Sequence, residues 1–201
     1  MTRANPASRA ENAPEGSDGP AEESGSEWPL CAQFGLSHTS ILERHTFLRV
    51  HGNDEANMAF VRRVMEARVD EIIEQFYAHL ASFPPLVRHL KDARTISRLK
   101  RTQRDYLLGM GRDSAGLDYV EYRLRVGVAH DRVNLEPRWF VSAYAILFDL
   151  VADHIARDAA AQDADPVPLL RSLSKVFWLD AGLAVDTYHG AAIHRAAVSV
   201  Q

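Results

Sequence analysis

The chain has a single cysteine, Cys31, in 201 residues, so an internal disulfide framework is excluded. That fits a reducing compartment, and a lone thiol carries no chemistry by itself. Long apolar runs are also missing: Tyr144-Ala145-Ile146-Leu147-Phe148 stops at Asp149. No segment is therefore expected to span a bilayer, and the N-terminus lacks the apolar core of a signal peptide. The expectation is a soluble, cytoplasmic protein. Basic charge is not in excess either, with net charge -4 at pH 7 and a pI of about 6.1. Neither nucleic acid nor an anionic membrane is expected as the main partner. Gly-rich phosphate loops, Gly-x-Ser-x-Gly and a catalytic Cys-His pairing are absent too, so no familiar catalytic motif is available.

Residues 1–28 contain no aromatic before Trp28 and are rich in Pro, Gly, Ser, Ala and acidic side chains. Such a stretch buries too little apolar surface to offset its ordering entropy, and it is expected to be a disordered tail. Residues 29–201 then form one domain. About 170 ordered residues bury close to two thirds of their surface, enough to fold without a staple.

What is present is helical periodicity. Met65, Val69, Ile72, Ile73, Phe76, Tyr77 and Leu80 follow the three-four spacing of an amphipathic helix. That helix is expected to start near Asp54, capped by Asn53 or Asp54, and to stop at Ser82-Phe83-Pro84-Pro85. A short helix around Leu86–Leu90 is expected next. A second stripe is Ile96, Leu99, Gln103, Tyr106, Leu107 and Met110. A third is Tyr119, Tyr122, Val126, His130 and Val133. Pro137 suits the first turn of a helix running to about Ala160, and a last long helix covers Leu169–Val198. No alternating run is long enough for a strand. The fold class is all-α, with seven or eight helices.

Nine histidines prompt a search for metal ligands, but none shows zinc-site spacing. His130 stands apart because it shares a stripe with Tyr122, Val126 and Val133, which should turn its ring inward. Two readings fit that position: a core histidine bonded to main chain, or a neutral imidazole offered to a haem iron. Spacing does not choose between them.

The segment from Tyr122 to Phe140 contains Arg123, Arg125, His130-Asp131-Arg132-Val133-Asn134-Leu135 and Pro137-Arg138-Trp139-Phe140. It resembles the proximal-helix signature of globin-coupled sensors, the protoglobin-like sensor globins. Leu99-Lys100-Arg101-Thr102-Gln103-Arg104 resembles the distal helix of that family, and Phe76-Tyr77 its distal aromatic pair. The resemblance runs from roughly Ile41 to Tyr188, with three motifs in order.

The resemblance implies a globin fold with an extra N-terminal helix and two long C-terminal helices that form a four-helix bundle in a homodimer. It implies haem b (iron protoporphyrin IX) as cofactor and His130 as the iron ligand. Tyr77 becomes a distal hydroxyl for a bound gas and Thr102 a second distal polar group, although a threonine there commonly bonds its own helix. Phe83, Leu107, Val126 and Val133 are candidates for packing on the haem, positions that an ordinary core explains equally well. The ligand is O2 or another diatomic gas (CO, NO). An output domain or signalling protein is the implied partner, because the chain has no Gly-Gly-Asp-Glu-Phe motif or kinase loop. It is therefore not expected to be an enzyme. Two alternatives stay open at this point: a haem-dependent NO dioxygenase or peroxidase-like enzyme, and a haem-free helical interaction module.

Overall fold

The computed structural model describes residues 27–198, and among them there are eight helices and no strand. The expected tail lies outside the described residues except for Glu27 and Trp28. Trp28 is already engaged, with Nε1 donating to Asp118 at 2.8 Å.

Two short helices come first, α1 (Pro29–Gln33) and α2 (His38–Phe47). Ser37 caps α2 in a reciprocal box with Ser40. Helix α3 (Gly52–Ala81) starts slightly earlier than its apolar pattern suggests. Its cap is His51, whose main-chain N–H donates to Asp54 Oδ2 at 2.8 Å, so Asp54 sits one turn inside the helix. Lys175 and Ser172 also bond Asp54, which secures the start of α3 to a distant part of the chain.

Phe83 precedes Pro84 and Pro85, which open the one-turn helix α4 (Pro84–Val87). Asp92 caps α5 (Ala93–Leu108) by accepting from Thr95 N–H. Three ion pairs, Glu66–Arg112, Asp70–Arg104 and Glu74–Lys100, run in opposite chain directions along α3 and along α5 with the turn that follows it. They align the two helices antiparallel. Each is partly or fully solvated, so alignment rather than stability is their main contribution.

Helix α6 (Leu117–Arg132) ends in a tight turn. Asn134 adopts φ 54°, a left-handed conformation that asparagine tolerates, and Leu135 N–H returns to His130 C=O at 3.1 Å. Helix α7 (Pro137–Ala161) follows, with Pro137 at its first turn. Helix α8 (Pro166–Val198) closes the described chain. Contrary to the expectation from short apolar runs, α7 is long and apolar enough by composition to cross a membrane. Its Phe140, Tyr144, Leu147, Val151 and Ile155 are buried in the main core, and a single helix of this kind is weak evidence of a membrane span.

The main core gathers side chains from α3, α5, α7 and α8, with Met65, Ile72, Leu107 and Leu173 fully buried. A smaller cluster holds Cys31, Ile41, Val120, Leu124 and Leu183 and docks α1 and α2 on α6 and α8. Glu121 of α6 completes that docking, because its Oε2 accepts from the main-chain N–H groups of Leu30 and Cys31 at 3.0 and 2.9 Å.

Candidate functional site

His130 lies in the last turn of α6 and is half-buried. Its Nδ1 is 2.8 Å from the carbonyl oxygen of Val126. A carbonyl only accepts, so Nδ1 carries the proton and the lone pair of the neutral ring resides on Nε2. Nε2 has no hydrogen bond among the described residues. Burial holds the imidazole pKa below the ordinary value; the bond to Val126 opposes this, and the nearby charge of His89 adds to it. The ring of Phe140 packs at 4.4 Å.

The stripe around His130 is less enclosed than its pattern predicts. Val126 is half-buried, whereas Tyr122 and Val133 are exposed at 37% and 54%. The buried face of α6 is instead Tyr119, Val120, Arg123, Leu124 and Gly127. Bulk explains the choice: Gly127 and Arg123 meet α8, so the edge of the helix carrying Tyr122 and Val133 is turned outward and His130 is left half-buried between the two.

Tyr77 is buried near the end of α3, edge-on to Phe76 at 5.6 Å. Burial pushes its phenol up to about 12, so it is a neutral donor at any physiological pH. Its hydroxyl has no hydrogen-bond partner among the described residues. Lys100 of α5 approaches the ring at 5.9 Å. Leu107 belongs to the same core cluster, fully buried, and Val126 packs against that cluster.

Thr102 is exposed and its hydroxyl donates to the Arg98 carbonyl at 3.2 Å, the local bond a helical threonine favours. Phe83 is half-buried between His79 and Trp139, with ring centroids 4.9 and 6.2 Å away. The structure thus joins Tyr77, Leu107 and Val126 through one core and sets Phe83, Thr102 and Val133 outside it.

Sequence reasoning did not single out Phe140, the ring against His130, or Trp139, whose Nε1 is buried without a partner among the described residues. Both belong to the Pro-basic-Trp-aromatic motif, so the signal was present. It also missed Arg123 and Asp180, a buried ion pair between α6 and α8. No local pattern marks a pair so far apart in sequence.

These residues suit a haem iron. The set offers one neutral imidazole with a free Nε2, an unpartnered phenol and an orphaned indole N–H, flanked by apolar side chains. Among the described residues there is no cluster of His, Cys, Asp and Glu for a bare metal ion. Two concavities lie elsewhere, one of about 480 Å³ beside Phe47 and Trp178 and one of about 240 Å³ beside Phe148 and Trp178.

Known proteins bear directly on this arrangement. The globin domain of a Geobacter sulfurreducens globin-coupled sensor superposes with a TM-score of 0.63 at 18% identity, covering 73% of this chain and 96% of that domain. At that identity the match establishes the all-α globin fold. The heme-based aerotactic transducer HemAT of Halobacterium salinarum is 31% identical over 169 residues, which is 79% of this chain. The chain spans only 34% of the length of that transducer. The protoglobin family matches residues 37–192, most of the described helices. The chain is therefore a member of the protoglobin family.

Proposed function

We propose that the chain is a haem-based gas sensor globin in which His130 ligates the iron of haem b and a diatomic gas, O2 above all, is the signal. One observation carries this reading: the Nδ1–H of His130 is fixed by the Val126 carbonyl, leaving Nε2 as a free lone pair on a ring that burial keeps neutral.

When bound, haem iron supplies a coordination position for the gas. The chain's own residues do the rest. The Val126 carbonyl sets the tautomer and orientation of His130, and Phe140 restrains its ring. Tyr77 offers an unpartnered hydroxyl as donor, which favours a polar ligand such as O2 over CO. One net hydrogen bond of about 1 kcal/mol is about fivefold in affinity. Thr102 adds a second hydroxyl if it leaves Arg98, and Phe83, Leu107, Val126 and Val133 supply apolar contact.

The output is a change in how α7 and α8 pack in a cytoplasmic homodimer, passed to a signalling domain or protein. The support is the apolar surface of α8, where Trp178, Val185 and Ile193 are 60%, 49% and 57% exposed at helical spacing. Similarity to an aerotactic transducer points the same way.

Absorption spectra of the haem-supplemented protein, with and without O2 and CO, test the reading. The wild type is expected to bind haem one to one and His130→Ala to lose it. A wild type without a Soret band would make the chain a haem-free module. Rapid oxidation of the ferrous form with nitrate production from NO would make it a dioxygenase.

A further inference from the structure

The least ordinary feature of the interior is a charge pair that no exposed surface explains. Arg123 of α6 and Asp180 of α8 have side chains 1% and 0% exposed, with Nε 3.1 Å from Oδ2. That contact lacks hydrogen-bond alignment, so Nε is satisfied only electrostatically. The remaining guanidinium nitrogens both donate to the Tyr106 carbonyl at 3.3 Å. Tyr106 stands in the last turn of α5, where carbonyls have lost their helical partners, so Arg123 caps the C-terminus of α5.

Tyrosines complete the cluster. Tyr106 Oη donates to Asp180 Oδ2 at 2.8 Å and lies 3.0 Å from Tyr144 Oη of α7. Tyr119 Oη donates to Asp180 Oδ1 at 2.7 Å and accepts from Gly111 N–H. The guanidinium lies over the rings of Tyr106 and Tyr119, 3.9 and 4.4 Å from their centroids. Burial pushes the Asp180 carboxyl up against the pull of Arg123. A buried pair of this kind adds little stability over apolar side chains of the same volume. Its geometric effect is large, because three helices meet on two side chains and α7 joins them through Tyr144 on the Tyr106 hydroxyl.

The same pair lies in line with His130. Arg123, Gly127 and His130 are four and three residues apart, one stripe of α6. Down that stripe α6 meets α8 at Arg123–Asp180, at Gly127 against Thr187, and at Asp131–Arg195, where the ion pair is 3.0 Å. His130 lies between the last two contacts. A shift of the C-terminal half of α6 that carries His130 therefore also displaces these contacts with α8.

We propose that Arg123 and Asp180 are positioning residues that couple the place of His130, and the end of α5, to α8. This rests on the reading of His130 as the iron ligand. A shift of α6 changes the Arg123–Asp180 contact, and Tyr106 conveys the same shift to α5. The pair makes three helices respond as one body.

The test uses the full chain loaded with haem, plus the haem-free protein. Arg123→Met/Asp180→Leu replaces the pair at similar volume, and Tyr106→Phe removes only the hydroxyl. Hydrogen exchange is followed over residues 173–190 of α8 in the unliganded and CO-bound ferrous states, together with the iron–histidine stretch of the unliganded state. In the wild type, CO is expected to change α8 exchange. In the double variant that response is lost and the stretch shifts while haem remains bound. Tyr106→Phe, which keeps the ring over Arg123, is expected to change O2 dissociation by up to about fivefold, the most that the free energy of one hydrogen bond can transmit. In the haem-free protein, it is expected to speed exchange at the end of α5 and in α8 together.

Wild-type exchange in α8 that ignores CO would overturn the proposal, as would a double variant that keeps both the response and the stretch. Should the double variant not fold, Tyr106→Phe decides: unaltered O2 dissociation with unaltered α5 and α8 exchange overturns it. Absence of haem from the wild type would instead sink the functional reading, and is seen in the spectrum before any variant is made.

Discussion

Gly127 of α6 and Thr187 of α8 approach so closely that a Cβ on Gly127 would stand 2.3 Å from Thr187 Oγ1. Thr187 is 1% exposed and its hydroxyl is committed to the Ala184 carbonyl at 2.7 Å, so it cannot swing aside. Gly127→Ala is therefore expected to force α6 off α8, although alanine is the better helix former. The expected loss is about 1–3 kcal/mol, read from the urea midpoint. An unchanged or raised midpoint would mean that the two helices are not packed this tightly.

Acid should destabilise the protein through its histidines. Burial is the leading cause of a lowered pKa at His130, His89 and His154. In each, the unfolded chain takes up a proton more readily than the folded one. Stability is then full above the unfolded value of about 6.5 and falls as pH drops through it. Urea titrations of the haem-free protein between pH 8 and pH 5 measure this. A midpoint that does not fall would show that the imidazoles remain solvated.

Leu107 and Val133 should behave oppositely, although sequence reasoning gave both the same role. Leu107 is 0% exposed, and Leu107→Ala is expected to cost about 2–5 kcal/mol with or without haem. Val133 is 54% exposed, and Val133→Ala should change haem-free stability by less than about 0.5 kcal/mol. If Val133 packs on the porphyrin, that variant still releases haem faster to an apoprotein acceptor. Equal retention would remove it from the site.

The Tyr77 hydroxyl has no partner among the described residues, so Tyr77→Phe should leave thermal stability within about 0.5 kcal/mol of wild type. Its effect belongs to the ligand: O2 dissociation is expected to quicken by about fivefold while CO dissociation changes less. Stopped-flow measurement of both gases separates this from a general loosening, which would change both alike.

Much of this was legible in the sequence. The stops at Ser82-Phe83-Pro84-Pro85 and Asn134–Pro137 fell where proline and a left-handed asparagine require them. Helix starts were harder, because the cap of α3 depends on Asp54 reaching back to His51, not on an apolar pattern. The face of α6 was harder still. Periodicity alone grouped His130 with Tyr122 and Val133, whereas the helix buries Gly127 and Arg123, a residue with no side chain and a residue with a charge. Neither scores as apolar, so no hydrophobic pattern could select that face. Thr102 illustrates the converse: its place beside the apolar stripe was readable, but its hydroxyl is spent on its own helix.

The contact of Glu121 with α1 has a temporal consequence. Leu30 and Cys31 are at the start of a five-residue helix, too short to protect its own first amides. Among the described residues, the hydrogen-bond acceptor of both N–H groups is a carboxylate from another helix. Exchange at those two amides therefore clocks the undocking of α1 from α6, an opening that leaves the main core intact. Those amides should exchange well before the amides of Val69 or Ile72, and Glu121→Gln should set them ticking faster while the core keeps its pace.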